Sequence, residues 1–560
     1  MTGAASRRAI VAGAGLGAGL AVVIACGWVA EVRLGPLLDP ASHARVAAFV
    51  RGLFPAELSP AFLGVVGAAA LRTLAIAVSG TVLSAAVALP LGILATATLF
   101  RRGPLVEAER RTALRRLTAG LSVAARGVLG VLRGVPDLVW AMGFVVGVGL
   151  GPVPGVLALG VSYGGMLGRV FADLFEDVDP RPLEALAATG ASRAQIFAFG
   201  IWPQALPGVV AYTLYSFECC VRAAAVLGLV GAGGLGYEIA LSMRQFEYGE
   251  IVTLVGALLA VMWLTEAASA ALRRALRANA PPGVLAHRRL GAAASHGARS
   301  PVLAAVAALA VGGTLVAAWL HRDVLGRETL TGLAHFAGEA WPPDLAPGYL
   351  RTLVRPIGET IAISVIGTLI GVAIGAVLGV AATAPAAEDD HDRGAAWLAR
   401  HAMRRTARAA LALLRAIPDL LWVLIVLLAV GFGPFAGALA LGVHTGGVLG
   451  KLYAETFEEV SPLPLRGLRA TGATPLQLLV WGAWPETRRT QISYTVLRWE
   501  MNLRAGAVVG LAGGGGLGLE LYNSLQLGFY PRVATLTLVI LAMVFATGTL
   551  GDFLRRRLGP

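Results

Sequence analysis

The sequence predicts an all-α polytopic membrane protein of about twelve transmembrane helices, built as two parallel halves of six. Three observations predict it. Hydrophobic residues make up 56% of the 560 and charged residues only 14%, whereas a soluble domain carries about 25% charge. Several apolar runs exceed 18 residues, enough to span a hydrocarbon core of about 30 Å. One segment is also written twice. Residues 161–190 (VSYGGMLGRVFADLFEDVDPRPLEALAATG) and 443–472 (VHTGGVLGKLYAETFEEVSPLPLRGLRATG) align without a gap at an offset of 282 (472 − 190), with 16 of 30 positions identical.

Taken in order, spans are expected near 9–30, 66–98, 127–148, 150–168, 207–232 and 250–272. A second set is expected near 301–320, 357–384, 409–432, 434–450, 488–512 and 532–555. Arg7 and Arg8 precede the first span. Its apolar stretch is long for a signal peptide and no clear A-x-A site follows, so an uncleaved helix is expected. Cys26, Cys219 and Cys220 fall in or near apolar spans and lack ligand partners at zinc spacing, so they read as core residues.

The net charge is +13, and its placement argues against a nucleic-acid partner. Arg101, Arg102, Arg110, Arg111, Arg115 and Arg116 lie between spans two and three. Arg273, Arg274, Arg277, Arg288 and Arg289 lie between spans six and seven. Arg404, Arg405 and Arg408 precede span nine, and Arg555, Arg556 and Arg557 close the chain. One topology in an inner membrane, with both termini in the cytoplasm, puts every cluster and both copies of the repeated loop on the cytoplasmic side.

The repeat reaches beyond the loop. Residues 132–137 (LRGVPD) match 414–419 (LRAIPD) at the same offset, and 73–81 (TLAIAVSGT) match 360–368 (TIAISVIGT) at 287. Both copies keep one orientation, which makes this a parallel repeat about an axis along the membrane normal. The expected division is a first half at 1–272 with its loop at 170–205, a cytoplasmic tether at 273–300, and a second half at 301–560 with its loop at 452–487. The acidic run Glu388-Asp389-Asp390-His391-Asp392 has no counterpart in the first half and reads as a solvated loop tip rather than a metal site.

In each loop the residue types suit a short surface helix. Pro180 and Pro182 permit a sharp start, and Leu183, Leu186 and Ala187 supply a small apolar face. Gly190, six residues after Glu184-Ala185-Leu186, can end it in a left-handed C-cap, and Pro203 follows thirteen later. The second copy keeps Gly472 and Pro485 at that spacing but has Arg466 and Gly467 in place of Glu184 and Ala185. A surface helix with no partner is the alternative.

Glu218 and Arg222 are four residues apart within an apolar span, as are Glu500 and Arg504. A charge at mid-bilayer costs about 2.5–3.5 kcal/mol even on lenient scales, and i,i+4 pairing lowers that cost. The pairs read either as helix-packing salt bridges or as guanidinium groups lining an oxyanion path, for which the Arg fork is suited. Arg133–Asp137 and Arg415–Asp419 read as structural or gating pairs. The glycine runs at 231–236 and 513–518 formally contain G-x-G-x-x-G but follow a membrane span rather than a strand, so a tight turn at the external end of a pore is expected, not a dinucleotide site. No P-loop is present: Thr445 stands where the first Gly is required and Leu452 where Ser or Thr is required. With no triad, carboxylate pair or metal cluster either, the chain is not expected to be an enzyme or to bind a cofactor.

The Glu-Ala start with Gly and Pro at these spacings resembles the EAA loop of ABC-type import permeases. Four blocks in each half resemble the PhnE-like permeases of phosphonate-type importers, which share a MetI-like fold. They are G-G-x-L-G-[RK] (Gly164 to Arg169, Gly446 to Lys451), A-T-G-A (188–191, 470–473), Y-T-x4-E-x3-R (Tyr212, Glu218, Arg222; Tyr494, Glu500, Arg504), and the glycine hairpin (Gly233, Gly234, Gly236; Gly515, Gly516, Gly518). The resemblance implies an ATP-driven importer of a phosphonate or related phosphorus oxyanion, with cargo choice residing largely in an extracytoplasmic binding protein. It implies two ATPase copies, holding ATP and Mg, docked at Glu184, Ala185, Gly190 and Pro203 and at Arg466, Gly472 and Pro485. It implies a translocation path along the Tyr-Glu-Arg residues and a gate at the hairpins. Alternatives are an ABC importer of another small solute such as an amino acid, and an ion-coupled secondary transporter, which does not account for two matched loops.

Overall fold

The apolar runs fold as helices, and the described residues contain no strand, as expected where lipid leaves backbone groups no outside partner. The computed structural model describes residues 17, 20–32, 35, 39–100, 112–278, 327–383 and 395–558. In chain order the main helices are α1 (Leu20–Val29), α2 (Pro60–Ala95), α3 (Thr112–Gly134), α4 (Asp137–Val148), α5 (Pro152–Glu176), α6 (Pro180–Ala188), α7 (Trp202–Leu227), α8 (Leu235–Gln245) and α9 (Tyr248–Ala278). They continue as α10 (Arg327–Ala340), α11 (Val354–Ala382), α12 (Ala395–Ala416), α13 (Asp419–Val430), α14 (Pro434–Glu458), α15 (Pro462–Ala470), α16 (Trp484–Val509), α17 (Gly516–Gln526) and α18 (Tyr530–Leu558).

Among the described residues, seven helices are long and apolar enough to cross a membrane, or nine if two bent pairs are each one span. The bent pairs correct the expectation of straight spans at 127–148 and 409–432. The α3–α4 axis turns by 86° and α12–α13 by 93°, because Pro136 and Pro418 take extended backbone at the junction and have no N–H to continue a helix. In each bend a tryptophan from the second helix recovers a carbonyl of the first: Trp140 Nε1 donates to Leu132 O (3.2 Å) and Trp422 Nε1 to Leu414 O (3.0 Å). The span expected at 488–512 is helical as α16 but is not among the seven, since Arg488, Arg489, Arg498, Glu500 and Arg504 lie within it. The expected span at 301–320, the tether beyond residue 278, Arg101, Arg102, Arg110, Arg111 and the acidic run at 388–392 lie outside the described residues.

Two compact units form, and neither is a simple sequence half. One comprises Gly52–Glu339; the other comprises Met1–Arg51 with Ala340–Pro560. In the second unit, Cys26 and Ala30 pack against Ala362, Ile363 and Ile366 of α11. In the first, α10 meets α4 so closely that a Cβ on Gly332 would stand 1.8 Å from Gly147 O. The helix leading into each repeat is therefore buried in the unit formed mainly by the other half of the sequence. The sequence boundary at 273–300 does not mark this division, because the exchanged helices carry no local signal of where they bury.

Each unit is centred on two long helices in near backbone contact, α2 with α5 and α11 with α14. Gly367, Gly371, Gly375 and Gly379 recur every fourth residue along α11 and face Gly442, Gly446 and Gly450. Small residues at this spacing let helices approach until dispersion and weak polar contacts hold them, where lipid supplies no hydrophobic drive. Ser84 Oγ adds a hydrogen bond to Leu159 O across the first pair (3.0 Å). Gly165 and Gly447, the second glycines of the G-G-x-L-G blocks, lie against the backbone entering each bend, where a Cβ would stand 2.6 Å from Arg133 N and 2.7 Å from Arg415 N.

Gly165→Ala and Gly447→Ala should each destabilise the protein by about 1–3 kcal/mol, the range for overpacking, and lower its apparent melting temperature in detergent. Gly256→Ala in α9, where a Cβ would meet nothing within 4 Å, should not lower it. Equal behaviour of all three would contradict the packing account.

Candidate coupling and translocation site

The repeated loop folds in each copy as a nine-residue helix, α6 and α15, opened by a proline. Asp179 Oδ1 accepts from Arg181 N (3.0 Å) at the start of α6. The end of α6 is a Schellman turn: Gly190 N donates to Ala187 O (3.0 Å) and Ala191 N to Leu186 O (3.4 Å). Gly190 has φ +80° and Gly472 φ +84°, the left-handed region that glycine occupies at little cost. Gly472 N donates to Arg469 O (2.9 Å) in the second copy.

The apolar face of these helices is turned inward. Leu183 and Leu186 close over Gly200, and Leu465 and Leu468 over Gly482. Both glycines lie in π-helical turns that lead into α7 and α16. The opposite face is open: Glu184 and Ala185 in α6, and Arg466 and Gly467 in α15, are exposed. Pro203 and Pro485 sit in the first turn of α7 and α16, where a missing N–H costs nothing. Each surface helix is thus seated on the base of a long helix.

Two features of this region escaped the sequence reading. The first is a capping box after each of these surface helices. Ser192 N donates to Gln195 Oε1 (2.8 Å) and Gln195 N to Ser192 Oγ (3.4 Å), and Thr474 and Gln477 repeat both bonds. Its S/T-x-x-Q pattern was readable. The second is an arginine clamp. Arg126 of α3 donates through Nε to Ala95 O (2.7 Å), the last residue of α2, and pairs with Glu176, the last residue of α5. Arg408 of α12 does the same with Ala382 O (3.0 Å) and Glu458. Glu176 Oε1 also accepts from Ala97 N (2.6 Å). The clamp ties the ends of α2 and α5 to the middle of α3, four residues before Pro180. An Arg and a Glu fifty apart (176 − 126; 458 − 408) in both copies was the available signal.

The Tyr-Glu-Arg residues lie on α7 and α16. Tyr212 is exposed, and Tyr494 packs on the core beneath α15. The expected Glu218–Arg222 pair does not form: among the described residues no ion pair joins them, and Arg222 Nε is buried without a hydrogen-bond partner. Glu500 is engaged by Arg555 of α18 (3.6 Å). The i,i+4 spacing permits a pair along one helix, but a second helix, α18, also reaches the carboxylate. Asn502, two residues on, is buried and joins three helices: it accepts from Thr445 Oγ1 and donates to Thr368 Oγ1, both at 2.9 Å.

At the other end of α7 and α16 the glycine runs form irregular turns. Gly231, Gly233 and Gly234 have φ +101°, +83° and +76°; Gly513, Gly515 and Gly516 have +97°, +76° and +73°. Leu235 N donates to Thr73 Oγ1 and Leu517 N to Thr360 Oγ1, each at 2.9 Å. Gly236 and Gly518 press on the preceding helix, where a Cβ would lie 1.7 Å from Ala225 O and 2.4 Å from Ala507 O. Gly516 N additionally donates to Glu359 Oε2 (2.9 Å), a contact of the second unit.

Comparison with known proteins adds three findings. The family profile described as "binding-protein-dependent transport system inner membrane component" matches residues 112–280 and 394–560. The phosphate-import permease protein PhnE of Mycolicibacterium smegmatis is 28% identical over 537 residues, 96% of this chain and 93% of the relative. The phosphite transport system permease protein PtxC of Stutzerimonas stutzeri is 38% identical over 252 residues, 44% of this chain and 87% of the relative.

Removing one clamp partner should be worse than removing both. Arg126→Met leaves Glu176 and Ala95 O short of a charged donor, at about 1.5–3 kcal/mol. Arg126→Met with Glu176→Gln should recover part of that loss. Thermal unfolding of the two single variants and the double variant checks it; strictly additive losses would mean that the residues act independently.

Proposed function

Because the chain belongs to the binding-protein-dependent transport system inner membrane component family, we propose that it is a two-half permease carrying a phosphorus oxyanion into the cell. It is a multi-pass membrane transport component rather than an enzyme. The observation that carries the reading is the doubled coupling helix. α6 and α15 repeat the same proline start, glycine stop and inward leucine face at one offset, and both leave the opposite face exposed. Two copies of an ATPase would each grip one such face, and the ATP and Mg belong to that partner. Arg466 in place of Glu184 makes the two grips unequal in charge.

The basic clusters support a topology with both termini and both coupling helices in the cytoplasm. The glycine hairpins then face outward, beneath an extracytoplasmic binding protein. Hydrolysis in the ATPase, transmitted through the coupling helices, would rock α7 and α16, each a single helix running from the coupling helix to the hairpin, and so alternate access. For the cargo, the names of two relatives supply the class, phosphate and phosphite. Arg222 supplies chemistry on this chain: a buried guanidinium nitrogen without a protein partner calls for an acceptor, and an oxyanion is one. Arg504 occupies the repeated position on α16.

Uptake by cells expressing the chain with its ATPase and binding protein tests this. Phosphate, phosphite and a simple phosphonate should be offered in turn, and at least one should accumulate in an ATP-dependent way. Arg222→Lys keeps the charge but loses the planar fork. A charge-assisted bond is worth about 1.5–3 kcal/mol, so uptake efficiency should fall about tenfold or more. Accumulation of none of the three would refute the cargo, and full uptake by Arg222→Lys would remove Arg222 from the path.

A further inference from the structure

The second unit contains a crevice of about 350 Å³ walled by α11, α14, the π-turn before α16, and α16 itself. On α11 the wall is widened by a small residue: Ala376 stands where the first half, at the offset of 287, has Leu89. Val380, Tyr453, Phe457, Leu479, Trp484 and Ile492 are among the mostly apolar residues of the wall, with Gln491 and Thr495 the polar ones. The same position in the first unit is filled. There Leu89 packs against the core that holds Phe171 and Phe175. Phe197 stands 282 residues before Leu479, edge-on to Phe175 at 5.2 Å and 6.1 Å from Trp202. Phe457 and Trp484 repeat Phe175 and Trp202, so the exchange of Phe197 for Leu479 removes a ring from an otherwise similar wall.

A second asymmetry lies on the same strip of helix. Arg488 is four residues after Trp484 and four before Ile492, which puts all three on one face of α16. Arg488 and Arg489 are exposed; the first half has Leu206 and Pro207 at these positions. Trp481 is 74% exposed and Trp484 44%, as befits the membrane–water boundary, where amphipathic indoles concentrate. An apolar slot, a rim of indoles and a basic pair on the lining face are complementary to one kind of molecule.

We propose that this crevice binds an anionic phospholipid, with an acyl chain in the slot beside Leu479 and the headgroup at Arg488 and Arg489. The bound chain would occupy the space that Phe197 fills in the first unit. It would lie against the core on which Leu465 of α15 is seated, so the coupling helix of this unit alone would rest on a lipid. The inference is independent of the cargo.

Native mass spectrometry of the purified chain, taken from vesicles of phosphatidylcholine mixed with phosphatidylglycerol, reads the outcome. The unmodified chain should retain phosphatidylglycerol in preference to phosphatidylcholine. Leu479→Phe, which inserts the ring that the first unit already accommodates, should abolish retention. Arg488→Leu should keep the slot but reduce the preference for the anionic lipid about fivefold, the worth of one basic residue near an anionic headgroup. Unchanged retention in both variants, or no preference in the unmodified chain, would overturn the proposal. So would a loss of ATPase association in Arg488→Leu with lipid retention intact, which would assign the face to a protein partner.

Discussion

Each unit depends on the approach of two long helices until their backbones nearly touch. Along α11 and α14 this requires glycine at every fourth residue, and a Cβ on Gly371 would come within 2.5 Å of Thr445 Cγ2. In hydrocarbon there is little to gain from hiding a leucine, so contact area and short polar bonds must hold helices together. The close pair supplies both, and it fixes what lies at its two ends. At one end Thr73 and Thr360 leave α2 and α11 to hold the glycine hairpins. At the other, Arg126 and Arg408 gather the ends of the paired helices just before α6 and α15 begin.

This arrangement gives the surface helix a firm seat. α6 has one buried leucine and an apolar face closed over Gly200, and the residue after its C-terminal turn opens a capping box. A force applied at Glu184 meets few soft joints before it reaches α7. The same holds for Arg466 and α16, except that α16 carries charges inside its length and binds its neighbours through Asn502. The two units share a frame but differ in how it is filled: aromatic rings in the first, polar side chains and an open slot in the second.

Much of this was legible in the sequence because the repeat acts as its own control. The two surface helices α6 and α15, the stopping role of Gly190 and Gly472, and the irregular backbone at the hairpins each follow from a residue type that has one good use at its position. The bends at Pro136 and Pro418 were legible in principle, since proline there must interrupt a helix, but continuous hydropathy across the junction disguised them. What was not legible depends on distant partners. Nothing near Cys26 or Gly332 indicates which unit will bury it. Glu500 stands four residues from Arg504, yet α18 brings Arg555 to it. Arg126 resembles any basic residue on an amphipathic helix until α2 ends beside it.

The central claim is that one chain provides both halves of the permease and both ATPase seats. The mass of the purified complex with its ATPase tests that most directly. The account predicts a single 57.6 kDa chain together with two ATPase copies. A complex holding two copies of this chain, or only one ATPase, would contradict it.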